Sequence, residues 1–209
     1  PGYTTFYLPI YPQISWQSTC IPVKEKENLE IEISGYVSPG ILDQNLNPSR
    51  MKELFEWIKK GSTPDTWSEK FLPSIWPYTG PEGYSKEWYG SEDQKMTILK
   101  NHPLYGSKDY YYQEDKFLTV KGLPHNVVLG FVQGSGEEKP LEATYREAAY
   151  DWRDDREKLY KLSSENYPIT IQIRKTGTFW VVINDVDMAR WDNGGLFFMK
   201  LTKKRWFGK

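Results

Sequence analysis

Ile169-Thr170-Ile171-Gln172-Ile173-Arg174-Lys175-Thr176-Gly177-Thr178-Phe179-Trp180-Val181-Val182-Ile183 decides the fold class. Ile169, Ile171 and Ile173 alternate with Thr170, Gln172 and Arg174, the period of two that sends neighbouring side chains to opposite faces of a strand. Lys175-Thr176-Gly177 then turns the chain, and Phe179 to Ile183 is a second run of β-branched and aromatic residues. An acidic loop, 184–195, leads into a third expected strand over 196–202. Further upstream, Leu29, Ile31 and Ile33 alternate with Glu30, Glu32 and Ser34, and Ser38-Pro39-Gly40 ends that run. Strands are also expected over 117–120 and 127–133, the latter closed by Gly134-Ser135-Gly136. Residues 1–23 read as extended, because Pro1, Pro9, Pro12 and Pro22 forbid a long helix.

Two stretches break this pattern. Met51, Leu54, Phe55 and Ile58 recur at helical spacing, with Asn47 as cap, Pro48 at the first position and Gly61 as stop, so a helix is expected over 48–60. Residues 141–162 read as a charged helix with a patchy apolar face of Leu141, Tyr145, Ala148, Ala149, Trp152, Leu159 and Leu162. Several short strands with turn signals between them indicate a mainly β protein, a β-sandwich with two helical insertions. At 209 residues the chain is one domain, 1–209, by default, long enough to bury a core without staples.

Composition excludes several classes. A net charge of −1 gives no electrostatic footprint for nucleic acid. No apolar run approaches the about 20 residues of a membrane helix. One cysteine, Cys20, excludes an internal disulfide and a multi-cysteine zinc site, and two histidines exclude a three-histidine zinc centre. A lone cysteine of this kind is most often buried. The chain begins at Pro1 without an initiator Met, so a preceding piece is expected to have been removed. The 9 Trp, 15 Tyr and 9 Phe read mostly as sandwich core, with Trp191 set apart by its place in a loop.

The loop Asn184-Asp185-Val186-Asp187-Met188-Ala189-Arg190-Trp191-Asp192-Asn193-Gly194-Gly195 is longer than a hairpin needs. Asp, Asn and Gly are ordinary turn residues, because they tolerate unusual dihedrals and bond their own backbone. They are also what a calcium ion takes, since it wants six to eight oxygens from carboxylates, amides and carbonyls. Asp185 at one end and Asp192 with Asn193 at the other can converge as the loop curls. Residue types alone leave both readings open.

The stretch from Gly177 to Gly195 resembles the final hairpin of LecA-like lectins, the calcium-dependent galactose-binding bacterial lectins. The matching features are Gly177, the strand Phe179 to Ile183, the pair Asn184-Asp185 and the triplet Asp192-Asn193-Gly194. Ile31 to Gly40 is similar to the family's strand and first calcium loop, Gly80-Pro81-Glu82-Gly83 to a following turn, His102-Pro103-Leu104-Tyr105-Gly106 to a His-Pro-x-x-Gly segment, and Val127 to Gly134 to the central strand. The likeness covers about half the chain and implies a lectin-like, galactose-binding β-sandwich in which 41–79 and 138–166 are insertions. It implies Ca²⁺ as the cofactor, held by the Pro39 carbonyl, the Asp185 carboxylate, the Ala189 carbonyl, the Asp192 carboxylate and the Asn193 amide oxygen. Asp192 stands where the family often has Asn. The sugar would meet His102, Tyr105, the Val186 carbonyl and Trp191, with His125 competing for the His102 role. A galactose-like glycan is the implied partner, and a secreted or cell-envelope place in a bacterium is implied with it.

No Gly-x-Ser-x-Gly, Walker or dinucleotide motif is present, so a non-enzymatic binding module is expected. A hydrolase acting on glycans would need two carboxylates facing a sugar at a fixed separation, which sequence alone does not place. The other reading is a structural or protein–protein interaction domain on the same scaffold that has lost its sugar site, working in a larger assembly.

Overall fold

The computed structural model describes residues 2–38, 79–83, 118–144, 147–185, 190 and 193–204. The helix expected over 48–60 lies outside them. The strands are β1 (Tyr3–Ile10), β2 (Gln17–Val23), β3 (Asn28–Ser38), β4 (Val120–Lys121), β5 (Val128–Gln133), β6 (Tyr150–Asp151), β7 (Leu159–Lys161), β8 (Ile169–Gln172), β9 (Gly177–Ile183) and β10 (Gly194–Lys204), with one short helix, α1 (Trp152–Asp155).

Two antiparallel four-stranded sheets carry the fold, in the orders β1-β10-β3-β8 and β2-β9-β5-β7. The alternation legible in β3 and β8 faces one side of each strand to the other sheet. Leu29, Ile31, Ile33 and Val37 of β3 and Phe197, Met199 and Leu201 of β10 meet Phe179, Val181 and Ile183 of β9 and Val128 and Val132 of β5. This is the sandwich core, and the fold class read from the sequence holds. Gly35 lies in β3 with φ of +108°, and a Cβ there would stand 2.3 Å from the Leu196 carbonyl oxygen, so only glycine lets β3 and β10 stay in register at that point.

Away from β2, the second sheet is buried on both faces. Leu129 and Phe131 of β5, Leu159 of β7 and Val182 of β9 turn away from the sandwich and join Trp16, Val120, Leu123, Val127 and Tyr150 in a second core. That double burial explains why β5 and β9 read as nearly unbroken apolar runs, whereas β3 and β8 alternate. Trp16 packs edge-on against Phe131 at 5.8 Å and Tyr150 at 6.2 Å between centroids. Its indole N–H donates to the Leu141 carbonyl at 2.9 Å, and the Leu141 N–H donates to the Tyr150 phenol oxygen at 2.9 Å.

This second core corrects the helix expected over 141–162. The described part of that stretch is an irregular run to Thr144, then β6, four residues of α1 capped by Asp151, and β7. Leu159 and Tyr160 are strand residues paired with β5, one facing each core. Apolar residues at near-helical spacing here cover a sheet face instead of lining one helix face. Cys20 corrects a second expectation. It is exposed, at φ of 55° in the irregular part of β2 where the register shifts between Ser18 and Pro22.

Candidate functional site

At one end of the sandwich β9 leaves the second sheet and β10 enters the first, and the acidic loop connects them. Pairing of Gly194 with Ser38 sets the end of β3 beside the start of β10. The Gly80-Pro81-Glu82-Gly83 turn is adjacent, closed by the Gly83 N–H donating to the Gly80 carbonyl at 3.1 Å and tied in by reciprocal backbone bonds between Val37 and Thr79. The three segments that the sequence resemblance lines up as loop, strand end and turn therefore gather at one end.

Asn184 is a fastener. It is fully buried; its Oδ1 accepts from the Val120 N–H at 2.8 Å, and its Nδ2 donates to the carbonyls of Val120, Leu123 and Pro124 at 3.0, 3.2 and 3.0 Å. Backbone bonds from Asn184 N to Val127 O and from Asn126 N to Asn184 O extend the seam. Asn126, at φ of 65°, donates its amide to Thr79 Oγ1 and to the Val37 carbonyl, joining this turn to β3.

Asp185 and Asn193, nearly at the two ends of the loop, are brought together. Both are buried, and Asn193 Nδ2 donates to Asp185 Oδ2 at 2.5 Å and to the Pro12 carbonyl at 2.9 Å. The Asp185 carbonyl accepts from the Thr119 N–H and hydroxyl. These bonds fix which way round the Asn193 amide sits. Turned over, it would press its oxygen against a carboxylate and a carbonyl. In the orientation held, Asn193 Oδ1 is buried with no hydrogen-bond partner among the described residues, in a residue only 4% exposed. A buried acceptor oxygen without a donor is unfavourable unless something else satisfies it.

Arg190 is a feature that the sequence reading passed over. Its guanidinium is buried inside the loop and donates to the carbonyls of Pro12 and Ile183 and to Thr119 Oγ1, at 3.3, 2.8 and 2.8 Å. Gln13 donates to the Asn193 carbonyl at 2.6 Å. The segment after β1 is thus part of the site. An arginine flanked by apolar residues inside an acidic loop was the available signal for Arg190; nothing local marks Pro12 or Gln13.

Pro39, Ala189 and Asp192 of the expected calcium set, and His102, Tyr105, Val186 and Trp191 of the expected sugar contacts, lie outside the described residues. His125 is described and is buried at the turn held by Asn184, which places it in the seam and away from solvent. Among the described residues no three His, Cys, Asp or Glu side chains gather as a metal site. Within the described part of the loop the side-chain acceptor oxygens are those of Asn184, Asp185 and Asn193, and Asn184 spends its own on Val120. Asp151, one of the acidic residues in the charged stretch, accepts from the Arg153 N–H at 2.9 Å and pairs with Lys121 at 3.1 Å. The Arg153 N–H, with Lys121 adding to it, holds its carboxyl below the usual range, as befits a capping residue.

No protein-family model and no curated protein matches this chain. Among solved structures it is similar to one described as "EclA N-terminal domain; PllA-like lectin", at 12% identity and a TM-score of 0.44, with 95% of each chain covered.

Proposed function

We propose that the chain is a calcium-dependent carbohydrate-binding module, with the Asp185–Asn193 end of the sandwich as its site. The observation that carries this reading is the buried Asn193 Oδ1, without a hydrogen-bond partner among the described residues, beside the Asp185 carboxylate. A hard cation is a partner that would satisfy such an oxygen, and amide, carboxylate and carbonyl oxygens are the donors calcium takes. Asp185 and Asn193 are also the two described members of the ligand set that the resemblance to LecA-like lectins implies. Pro39, Ala189 and Asp192 complete that set.

When bound, Ca²⁺ offers coordination positions that neighbouring hydroxyls of a galactose-like sugar fill in place of water. The chain's own residues do the rest. Asp185 brings negative charge to the ion and accepts from the Asn193 amide; Arg190, Thr119 and Asn184 hold the loop so that the oxygens at its ends stay together. A site braced by buried hydrogen bonds loses little freedom on binding.

Calorimetric titration of Ca²⁺ into chelator-stripped protein, followed by galactose, tests the reading. About one equivalent of calcium followed by sugar heat is expected, and Asp185→Ala should abolish the calcium heat. Absence of calcium heat in the unaltered protein would leave Asp185 and Asn193 as a clasp between loop ends and move the assignment to an interaction domain.

A further inference from the structure

The outer face of the first sheet carries large aromatic side chains in water. Tyr7 on β1 is 75% exposed, Phe198 on β10 56% and Tyr36 on β3 66%. Their neighbours Phe197 and Val37 point into the sandwich core, so these rings stand on the opposite face by strand alternation. Register places them. Tyr7 pairs with Lys200 and Pro9 with Phe198; Phe198 pairs with Ser34 and Leu196 with Tyr36. Each ring is therefore one strand across and two residues along from the last, the diagonal relation, with a spacing of about 8 Å. The three form one file of about 16 Å over two such steps.

The face between the rings has no net charge to offer. Lys200, opposite Tyr7, is paired with Glu32 at 3.2 Å, and the hydroxyls of Thr5 and Thr202 bond each other at 3.1 Å. Beside the rings an anionic partner finds the lysine engaged and a cationic one finds Glu32 engaged; Glu30, a further carboxylate on this face, stands a row beyond, opposite Thr202. The complementary partner is uncharged, with flat apolar faces and a polar rim. A hexopyranose has that form: its axial C–H bonds present a face that packs on an aromatic ring, while its hydroxyls lie around the edge. One sugar covers one ring, so three in file call for a chain of them. Exposed aromatic surface rimmed by polar residues is unusual without a binding role.

We propose that Tyr7, Phe198 and Tyr36 form a platform for a neutral polysaccharide, each ring stacking on a sugar unit of one chain, without calcium. This surface is separate from the loop site and does not rest on it.

The test is affinity electrophoresis through gels containing β-galactan, galactomannan or β-glucan, in the presence of a calcium chelator. The unaltered protein should be retarded in at least one gel. Tyr7→Ala, Phe198→Ala and Tyr36→Ala should each weaken that retardation about fivefold or more while keeping the urea midpoint. Asp185→Ala should be retarded as the unaltered protein is, which separates this platform from the calcium reading in either direction. Free migration in all three gels would overturn the proposal, as would a triple variant retarded as strongly as the parent. A parent that sediments as a dimer which the triple variant loses would also overturn it, by assigning the face to self-association.

Discussion

Asn184→Ala should cost the fold about as much as a core truncation while removing no core hydrocarbon. The side chain has no exposed surface and makes the four hydrogen bonds that tie the loop end of β9 to the 120–124 segment. Alanine leaves the buried Val120 N–H without its acceptor, a loss of about 1–3 kcal/mol, and each weakened carbonyl contact adds about 0.5–1.5 kcal/mol. The three carbonyls share one amide group, so these losses do not simply add, and about 3 kcal/mol in total is expected. For a chain of 209 residues that is a fall in Tm of about 6–12 °C. Equilibrium urea unfolding is the assay, with the m-value unchanged and the midpoint lowered. A loss under about 1 kcal/mol would refute the fastener role. Asn184→Asp should be worse still, because it turns a carboxylate toward three carbonyl oxygens; a gain in calcium affinity from that added charge would refute the assignment from the other side.

Calcium at about a hundred times its Kd should stabilise the protein by about 2.7 kcal/mol, and Asp185→Ala should show no such shift in thermal unfolding. Gly130→Ala should destabilise by about 1–3 kcal/mol in urea, because a Cβ on Gly130 would stand 2.7 Å from Cζ of the buried Phe179 ring. Burial pushes the Tyr167 phenol up to about 12. Its hydroxyl donates to the Leu162 carbonyl at 2.9 Å and accepts from the Ser164 N–H. The folded chain thus keeps a proton that the unfolded chain releases near pH 10. Stability from this group is complete below about pH 10 and is lost as pH rises toward about 12; urea midpoints across that window should fall less steeply in Tyr167→Phe.

The strands bordering one core were legible because one of their faces is wet. β3 and β8 repeat Leu or Ile every second residue, and β10 sets Phe197, Met199 and Leu201 at the same period. β5 and β9 announced themselves as apolar runs without saying why, since periodicity vanishes when both faces are covered. The same cause hid 141–162. Ala149, Trp152 and Leu159 are spaced as a helix face would space them, yet they belong to a covering layer for the second sheet whose need for cover is a property of distant residues. Of the loop site, Asp185 and Asn193 were legible as oxygen donors at opposite ends of one long connection. Their meeting was an inference that the fold now supplies with a hydrogen bond.

The sequence by itself determined that the chain is mainly β, where most of its principal strands run, and which loop holds the concentrated acidic and amide side chains. These are local matters of side-chain period, turn residues and composition. Only the tertiary structure decided that β10 lies between β1 and β3, that Pro12 and Gln13 close one side of the loop, that Arg190 is buried within it, and that Tyr7, Phe198 and Tyr36 fall into one file. Each of these depends on register between strands far apart in the chain. Pairing is fixed by the summed burial of whole faces, which no single stretch of residues carries.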